Sequence, residues 1–162
     1  MAKEIERKFL VRNDSWRQNV TSQTSLRQAY LSVDTDRSVR VRTSNNHSAK
    51  LTIKFGSGTI TRDEFEYPIP YDDALEMIGF AEGNIIEKTR YTVDYHGFTW
   101  EIDVFEGAYR GLVIAEVEMQ SETDQPRQPE WIGREVTGDR RYSNQALATE
   151  RLVPERVHAI SH

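Results

Sequence analysis

The stretch that decides the fold is EIERKFLV, residues 4–11. Glu4, Glu6 and Lys8 alternate with Ile5, Arg7 and Phe9. A period of two is the mark of an extended strand, whose successive side chains point to opposite faces. One face then carries two carboxylates and an ammonium. The same arrangement returns along the chain. Ser38, Arg40 and Arg42 alternate with Val39 and Val41, and Lys50, Thr52 and Lys54 with Leu51, Ile53 and Phe55. Arg62, Glu64 and Glu66 alternate with Asp63, Phe65 and Tyr67, and Lys88 and Arg90 with Thr89, Tyr91 and Val93. Glu101 and Asp103 oppose Trp100, Ile102 and Val104, while Glu116 and Glu118 oppose Ala115, Val117 and Met119.

For any one strand, the ordinary expectation is a sheet face turned to water. The set as a whole argues otherwise. A solvated face mixes Thr, Ser, Gln and Lys, whereas this one is mostly charged and sorted by strand. Glu-x-Glu occurs in three strands, Arg-x-Arg in one and Lys-x-Arg in another. Like charges two apart on one face repel unless a counter-ion or ligand compensates them. Paired glutamates offer hard oxygen ligands to a divalent cation. Arginines and lysines offer forked or point-charge contacts to phosphate oxygens. Acid and base sets converging on one barrel interior describe a metal–polyphosphate site. Such an interior costs too much if dry and unpaired. The expectation is a water-filled tunnel, with the apolar partners turned outward under helices.

The bulk numbers narrow the class. A chain of 162 residues fits one domain, taken here as 1–162 with 152–162 a candidate tail. Its net charge of −5 speaks against a nucleic-acid partner, so an anionic ligand must be drawn by a local cluster of bases. The absence of cysteine excludes disulfides and thiolate metal sites. No stretch is apolar enough to span a membrane as a helix, and MAKEIERKF lacks the apolar core of a signal peptide. A cytoplasmic protein with no membrane partner is expected; nothing in these patterns sets an oligomeric state.

Short β-branched and aromatic runs separated by Gly, Asn, Asp and Pro predict strands at Glu4–Val11, Ser25–Val33, Ser38–Ser44, Ala49–Phe55, Thr59–Pro68, Ile85–Tyr95, Phe98–Phe105 and Leu112–Gln120. Hairpin turns fit SNNHS, GSG and YHGF. GSG is no phosphate loop, because the Gly-x-x-x-x-Gly-Lys-Ser/Thr arrangement is absent. YDDALEMIGFA predicts a helix with an Asp cap, SNQALATERL a helix capped by Ser143, and NDSWRQNV a single helical turn. SETDQPRQP reads as a polar loop. The class is mostly β (α+β): an eight-stranded antiparallel barrel with a charged interior, flanked by a few helices. His47, His96, His158 and His162 fall in turns or the tail and are expected at the surface.

These residues resemble a known family. EIERKFLV carries the Glu-x-Glu-x-Lys signature of the CYTH superfamily, the triphosphate tunnel metalloenzymes. The resemblance continues in order through QAYL, VRVR, LTIK, RDEFEY, IEKTRY, WEIDVF, GLVIAEVEM and PEWIGREVTGDRRYSNQALA. It implies a tunnel that binds a triphosphate with Mg²⁺ or Mn²⁺. Carried over by position, Glu4, Glu6, Glu64, Glu66, Asp103, Glu116 and Glu118 look like the metal-handling side. Lys8, Arg40, Arg42, Lys54, Lys88 and Arg90 look like the substrate side, with Arg62 and Arg141 as weaker members. Glu4, Glu6, Lys8, Tyr30 and Lys88 form the expected catalytic set, Tyr30 being equally suited to packing with its hydroxyl satisfied. The chain looks most like the short bacterial inorganic triphosphatases, acting on tripolyphosphate without a covalent nucleophile. Two alternatives stand beside it. One is a class IV-type adenylate cyclase, or a nucleoside or thiamine triphosphatase, in the same tunnel. The other is a non-catalytic module that binds polyphosphate or nucleotide; the wealth of carboxylates favours catalysis over binding alone.

Overall fold

The structure, a computed structural model, describes residues 3–56 and 60–149. Nine strands and two helices follow in the order β1 (Lys3–Val11), β2 (Val20–Asp34), β3 (Arg37–Ser44), β4 (Ser48–Phe55), β5 (Thr61–Ile69), α1 (Tyr71–Ile78), β6 (Glu82–Tyr95), β7 (Phe98–Phe105), β8 (Val113–Glu118), β9 (Ile132–Glu135) and α2 (Asn144–Thr149). All pairings are antiparallel, in the order β5-β4-β3-β2-β6-β7-β8-β1. The pairing of β1 with β5 closes this meander into an eight-stranded barrel. The expected architecture stands.

Turn chemistry sets the hairpins. His96 and Gly97 both take positive φ, so β6 and β7 are joined by a two-residue turn of the hand that matches strand twist. Asn45 and Asn46 also take positive φ in the three-residue connection between β3 and β4, at a residue type that tolerates it well after glycine. Most of GSG, the beginning of the strand expected from Thr59, His158, His162 and the tail lie outside the described residues. His47 and His96 are exposed, as expected.

Four features differ from expectation. β9, unforeseen, is a four-residue strand that extends the barrel seam beside β1 beyond the point where β5 leaves it. β2 begins at Val20 and β6 at Glu82, so both strands are longer than their apolar runs suggest. α1 has Pro70 at its N-cap with no side-chain cap, and Asp72 and Asp73 sit in its first turn, where they complement the helix dipole. Ser143 does cap α2, its Oγ accepting from the Ala146 N–H at 3.0 Å, and the Ser15–Asn19 segment is a 3-10 turn.

The fourth difference concerns where the apolar atoms lie. Helix α1 covers the outer face only around Ala29, Val41 and Ala49. Another outer cluster, Phe9, Trp16, Trp100, Ile102, Val117 and Trp131, is roofed by the 3-10 turn and the loop before β9 instead of a helix. The interior is not charged throughout either. At one end the inward positions become Leu10, Tyr30, Ile86, Phe105 and Ile114, which pack with Tyr142, Leu147 and Ala148 from α2 and the segment before it. The lumen is therefore a charged cup, partly plugged at one end.

Candidate active site

Pleating places the inward side chains. Glu6 lies opposite Glu118 and Lys8 opposite Glu116 on β1 and β8. Glu101 faces Glu116 from β7, Arg90 faces Asp103 across β6 and β7, and Arg40 and Arg42 face Thr52 and Lys50 across β3 and β4. A cavity of about 230 Å³ is lined by Glu6, Lys8, Arg37, Lys54, Arg62 and Arg140 among others. It runs into a narrower recess reached by Tyr30, Ser143 and Asn144. Irregular register in β2 on both sides of Tyr30 accompanies this placement. Tyr30 is packed in the apolar plug and also lines the recess.

The charged residues fall into three groups. In the first, acids and bases are already mated. Lys88 Nζ lies 2.6 Å from Asp103, whose two oxygens also receive Arg90 at 2.7 and 2.9 Å. Burial raises the Asp103 carboxyl, but Arg90 and Lys88 outweigh it and hold that carboxyl well below its usual range. Burial pulls the Lys88 ammonium down to about 7, against the attraction of Asp103. Glu116, within 3.7 Å of Lys8 and of Arg90, is likewise raised by burial but brought down overall to about 2 by those cations. Lys54 bridges Glu4 at 3.1 Å and Glu64 at 3.4 Å. Burial and the hydrogen bond to Glu4 raise the Glu64 carboxyl. Burial raises Glu4 too, but Lys54 and that bond outweigh it, so Glu4 is lowered overall. Glu66 accepts from Lys50 and Thr52 nearer the rim.

The second group is positive without compensation. Among the described residues Arg40 and Arg42 make no ion pair; their side-chain hydrogen-bond partners are neutral. Arg42 Nε donates to Gln28 Oε1 at 2.9 Å, and Arg40 makes one long contact of 3.4 Å to Thr52 while its Nε has no partner. Burial, then Arg40 and Arg90, pull the Arg42 guanidinium down to about 9. The third group is negative without compensation. The side-chain carboxylates of Glu6 and Glu118 make no hydrogen bond or ion pair with a described residue. Burial, then Glu116 and Glu4, push the Glu6 carboxyl up to about 8. Burial and the neighbouring carboxylates Glu4, Glu116 and Glu66 raise Glu118.

Two placements change the expected site. Arg62 lines the cavity, but Arg141 does not: it is half exposed and grips Asp139 at 2.6 and 3.0 Å. Its neighbour Arg140 lines the cavity instead. Sequence patterning also passed over Gln28 and Asn144. Gln28 shares the inward parity of Tyr30 and could have been found that way. Asn144, whose Oδ1 accepts from Lys88 at 2.9 Å, comes from the start of a helix and leaves no strand signal.

No three carboxylates or histidines among the described residues converge tightly enough to hold a metal by themselves. The donor set nonetheless suits a hard cation that takes one or two carboxylates and completes its shell with phosphate oxygens and water. Glu6 and Glu118, opposed and raised, are where such a charge is wanted.

The barrel encloses unpaired arginines on one wall and unpaired glutamates on another, contacts of opposite sign facing one lumen. The chain belongs to the CYTH domain family, whose model matches residues 2–149. It is 47% identical over 148 residues to an inorganic triphosphatase of Acetivibrio thermocellus, covering 91% of this chain and 94% of that one. It is 36% identical over 148 residues to an inorganic triphosphatase of Nitrosomonas europaea, covering 90% and 96%. A crystal structure of an inorganic triphosphatase superposes with a TM-score of 0.65 at 35% identity, covering 91% of this chain and 95% of that one. No helix among the described residues is long and apolar enough to cross a membrane.

Proposed function

We propose that this chain hydrolyses inorganic triphosphate to pyrophosphate and phosphate with a divalent cation, Mg²⁺ or Mn²⁺. The observation that carries the reading is the coexistence, in one lumen, of Arg40 and Arg42 without an anion and of Glu6 and Glu118 without a cation. The relatives named inorganic triphosphatase support it. So does the cavity wall: no aromatic side chain stands among the described residues lining the 230 Å³ cavity, so a nucleobase finds no stacking face there.

Arg40 and Arg42 hold phosphoryl oxygens, and Lys8, Lys54 and Arg62 flank the chain of phosphates along the cavity. Asp103 acts indirectly, fixing Lys88 and Arg90 in place on the wall of the lumen. The cation, held by Glu6 and Glu118 together with phosphate oxygens, would neutralise the triphosphate and lower the pKa of the attacking water. Water adds to a terminal phosphorus, the bond to the bridging oxygen breaks, pyrophosphate leaves, and the arginines and lysines stabilise the charge that develops on it. A carboxylate of the lumen accepts the proton.

Purified protein incubated with tripolyphosphate, ATP, thiamine triphosphate or pyrophosphate, each with Mg²⁺ or Mn²⁺, tests this. Orthophosphate, pyrophosphate and cyclic AMP are measured. Rapid cleavage of tripolyphosphate with slow ATP turnover is expected. Cyclic AMP formation, or binding of tripolyphosphate without turnover under either metal, overturns the reading.

A further inference from the structure

We infer that Gln28 is a positioning residue for anion capture: it aims the Arg42 guanidinium into the lumen while leaving its charge uncompensated. The inference rests on the triphosphate reading above. Gln28 lies inside the barrel wall on β2, directly across from Arg42 on β3, and is completely buried. An arginine Nε can only donate, so the amide oxygen must face Arg42 and the amide nitrogen must face away. The Gln28 Nε2 then has no partner among the described residues. A buried amide that leaves one of its own groups unsatisfied is costly, and an apolar or acidic residue at this position would avoid that cost.

The neighbourhood shows what the amide provides. Every other strongly held base of the lumen is anchored by a carboxylate: Lys88 and Arg90 by Asp103, Lys8 by Glu116, Lys54 by Glu4 and Glu64. Those bases are oriented, but their charge is largely spent inside the protein. Gln28 binds Arg42 through Nε alone, so the terminal nitrogens keep their donors and their charge for an incoming phosphate. A carboxylate of the same shape would orient Arg42 equally well and remove most of its attraction for an anion.

Four variants test this: Gln28→Met, Gln28→Glu, Arg42→Met and the Gln28→Met/Arg42→Met double variant. Tripolyphosphate binding is measured by calorimetry in chelator, the KM and kcat of tripolyphosphate cleavage with Mg²⁺, and the melting temperature of ligand-free protein. Gln28→Met should weaken binding roughly fivefold, the loss of about one hydrogen bond, and raise KM more than it lowers kcat. In the Arg42→Met background it should have no further effect. Gln28→Glu should weaken binding by roughly tenfold or more yet raise the ligand-free melting temperature, because it pairs a buried cation. A purely structural glutamine predicts the opposite: both variants melt lower, and binding loss is additive with Arg42→Met. Either of those results overturns the inference. Wild-type protein that neither binds tripolyphosphate nor cleaves it with Mg²⁺ or Mn²⁺ defeats the triphosphate reading instead. In that event the Gln28→Glu melting temperature still decides whether Arg42 is left uncompensated.

Discussion

Glu6 and Asp103 are both inward-facing acids of the same barrel, yet their surroundings give them opposite parts. Asp103 receives three donors from two cations, and its charge holds them in place. Glu6 faces Glu118 and receives none. Removing a partner from a buried ion-pair network strands the remaining charges, whereas removing an unpaired acid relieves repulsion. Asp103→Asn should therefore destabilise the protein by about 3–5 kcal/mol in chemical denaturation, with Lys88 and Arg90 left unmatched. Glu6→Gln should do the reverse in metal-free protein, raising the denaturation midpoint at neutral pH while abolishing Mg²⁺-dependent cleavage of tripolyphosphate. An Asp103→Asn protein as stable as the parent would remove the anchoring role. Turnover retained in the Glu6→Gln protein would remove that side chain from the cation site.

At the scale of elements, the strands were legible because their chemistry has a period of two that no helix shares. The alternation at 4–11, 38–44, 50–55 and 62–66 identified both the strand and its inward face, and with it most of the charged lumen. What failed to register had no period to betray it. β9 is four residues long, and it joins the sheet by pairing Glu135 with Phe9 and Ile132 with Val11, contacts between segments far apart in the chain. Arg141 and Arg140 are adjacent, and only the 3-10 turn before α2 decides which of them meets the cavity. α2 is itself too short to stand alone and is held by what it touches. One contact is unusually intolerant: Gly83 on β6 takes φ of +77°, and a Cβ there would collide with the Ala148 carbonyl. Gly83→Ala should cost roughly 1–3 kcal/mol from backbone strain alone. Because α2 carries Asn144 and supports Ser143 at the recess, the same change should raise the KM for tripolyphosphate more than a cavity mutation in the apolar plug away from α2, such as Ile114→Val on β8. Equal effects of the two substitutions on KM would mean that α2 only fills space.

For the whole molecule, a barrel that turns raised carboxyls and unpaired arginines into one lumen is poorly matched to itself, and the mismatch should be visible as a pH dependence. Glu6, Glu64, Glu101 and Glu118 all have carboxyls raised above the ordinary 4.5, burial being the first cause in each. Raised carboxyls keep protons in the folded state that the unfolded chain has already released. Their contribution to stability is complete below pH 4.5 and is lost as pH climbs toward the folded values, which for Glu6 is about 8. The lowered acids, Glu4, Glu66, Asp103 and Glu116, change stability only below about 4.5, outside that window. Lys88, pulled down to about 7, opposes the trend only above that pH. Between pH 5 and 7 the metal-free protein should thus lose stability at roughly 1 kcal/mol per pH unit, somewhat under the value of about 1.4 for one fully shifted proton because water reaches the lumen. Urea denaturation in chelator at pH 5, 6 and 7 measures the slope. The Glu6→Gln protein should show a shallower one, and Mg²⁺ with tripolyphosphate should flatten or invert it, since a bound cation replaces the proton on the carboxylates. A ligand-free protein whose stability climbs across this interval would mean that the glutamates of the lumen are content with their charge, and that nothing in the empty barrel calls for a metal.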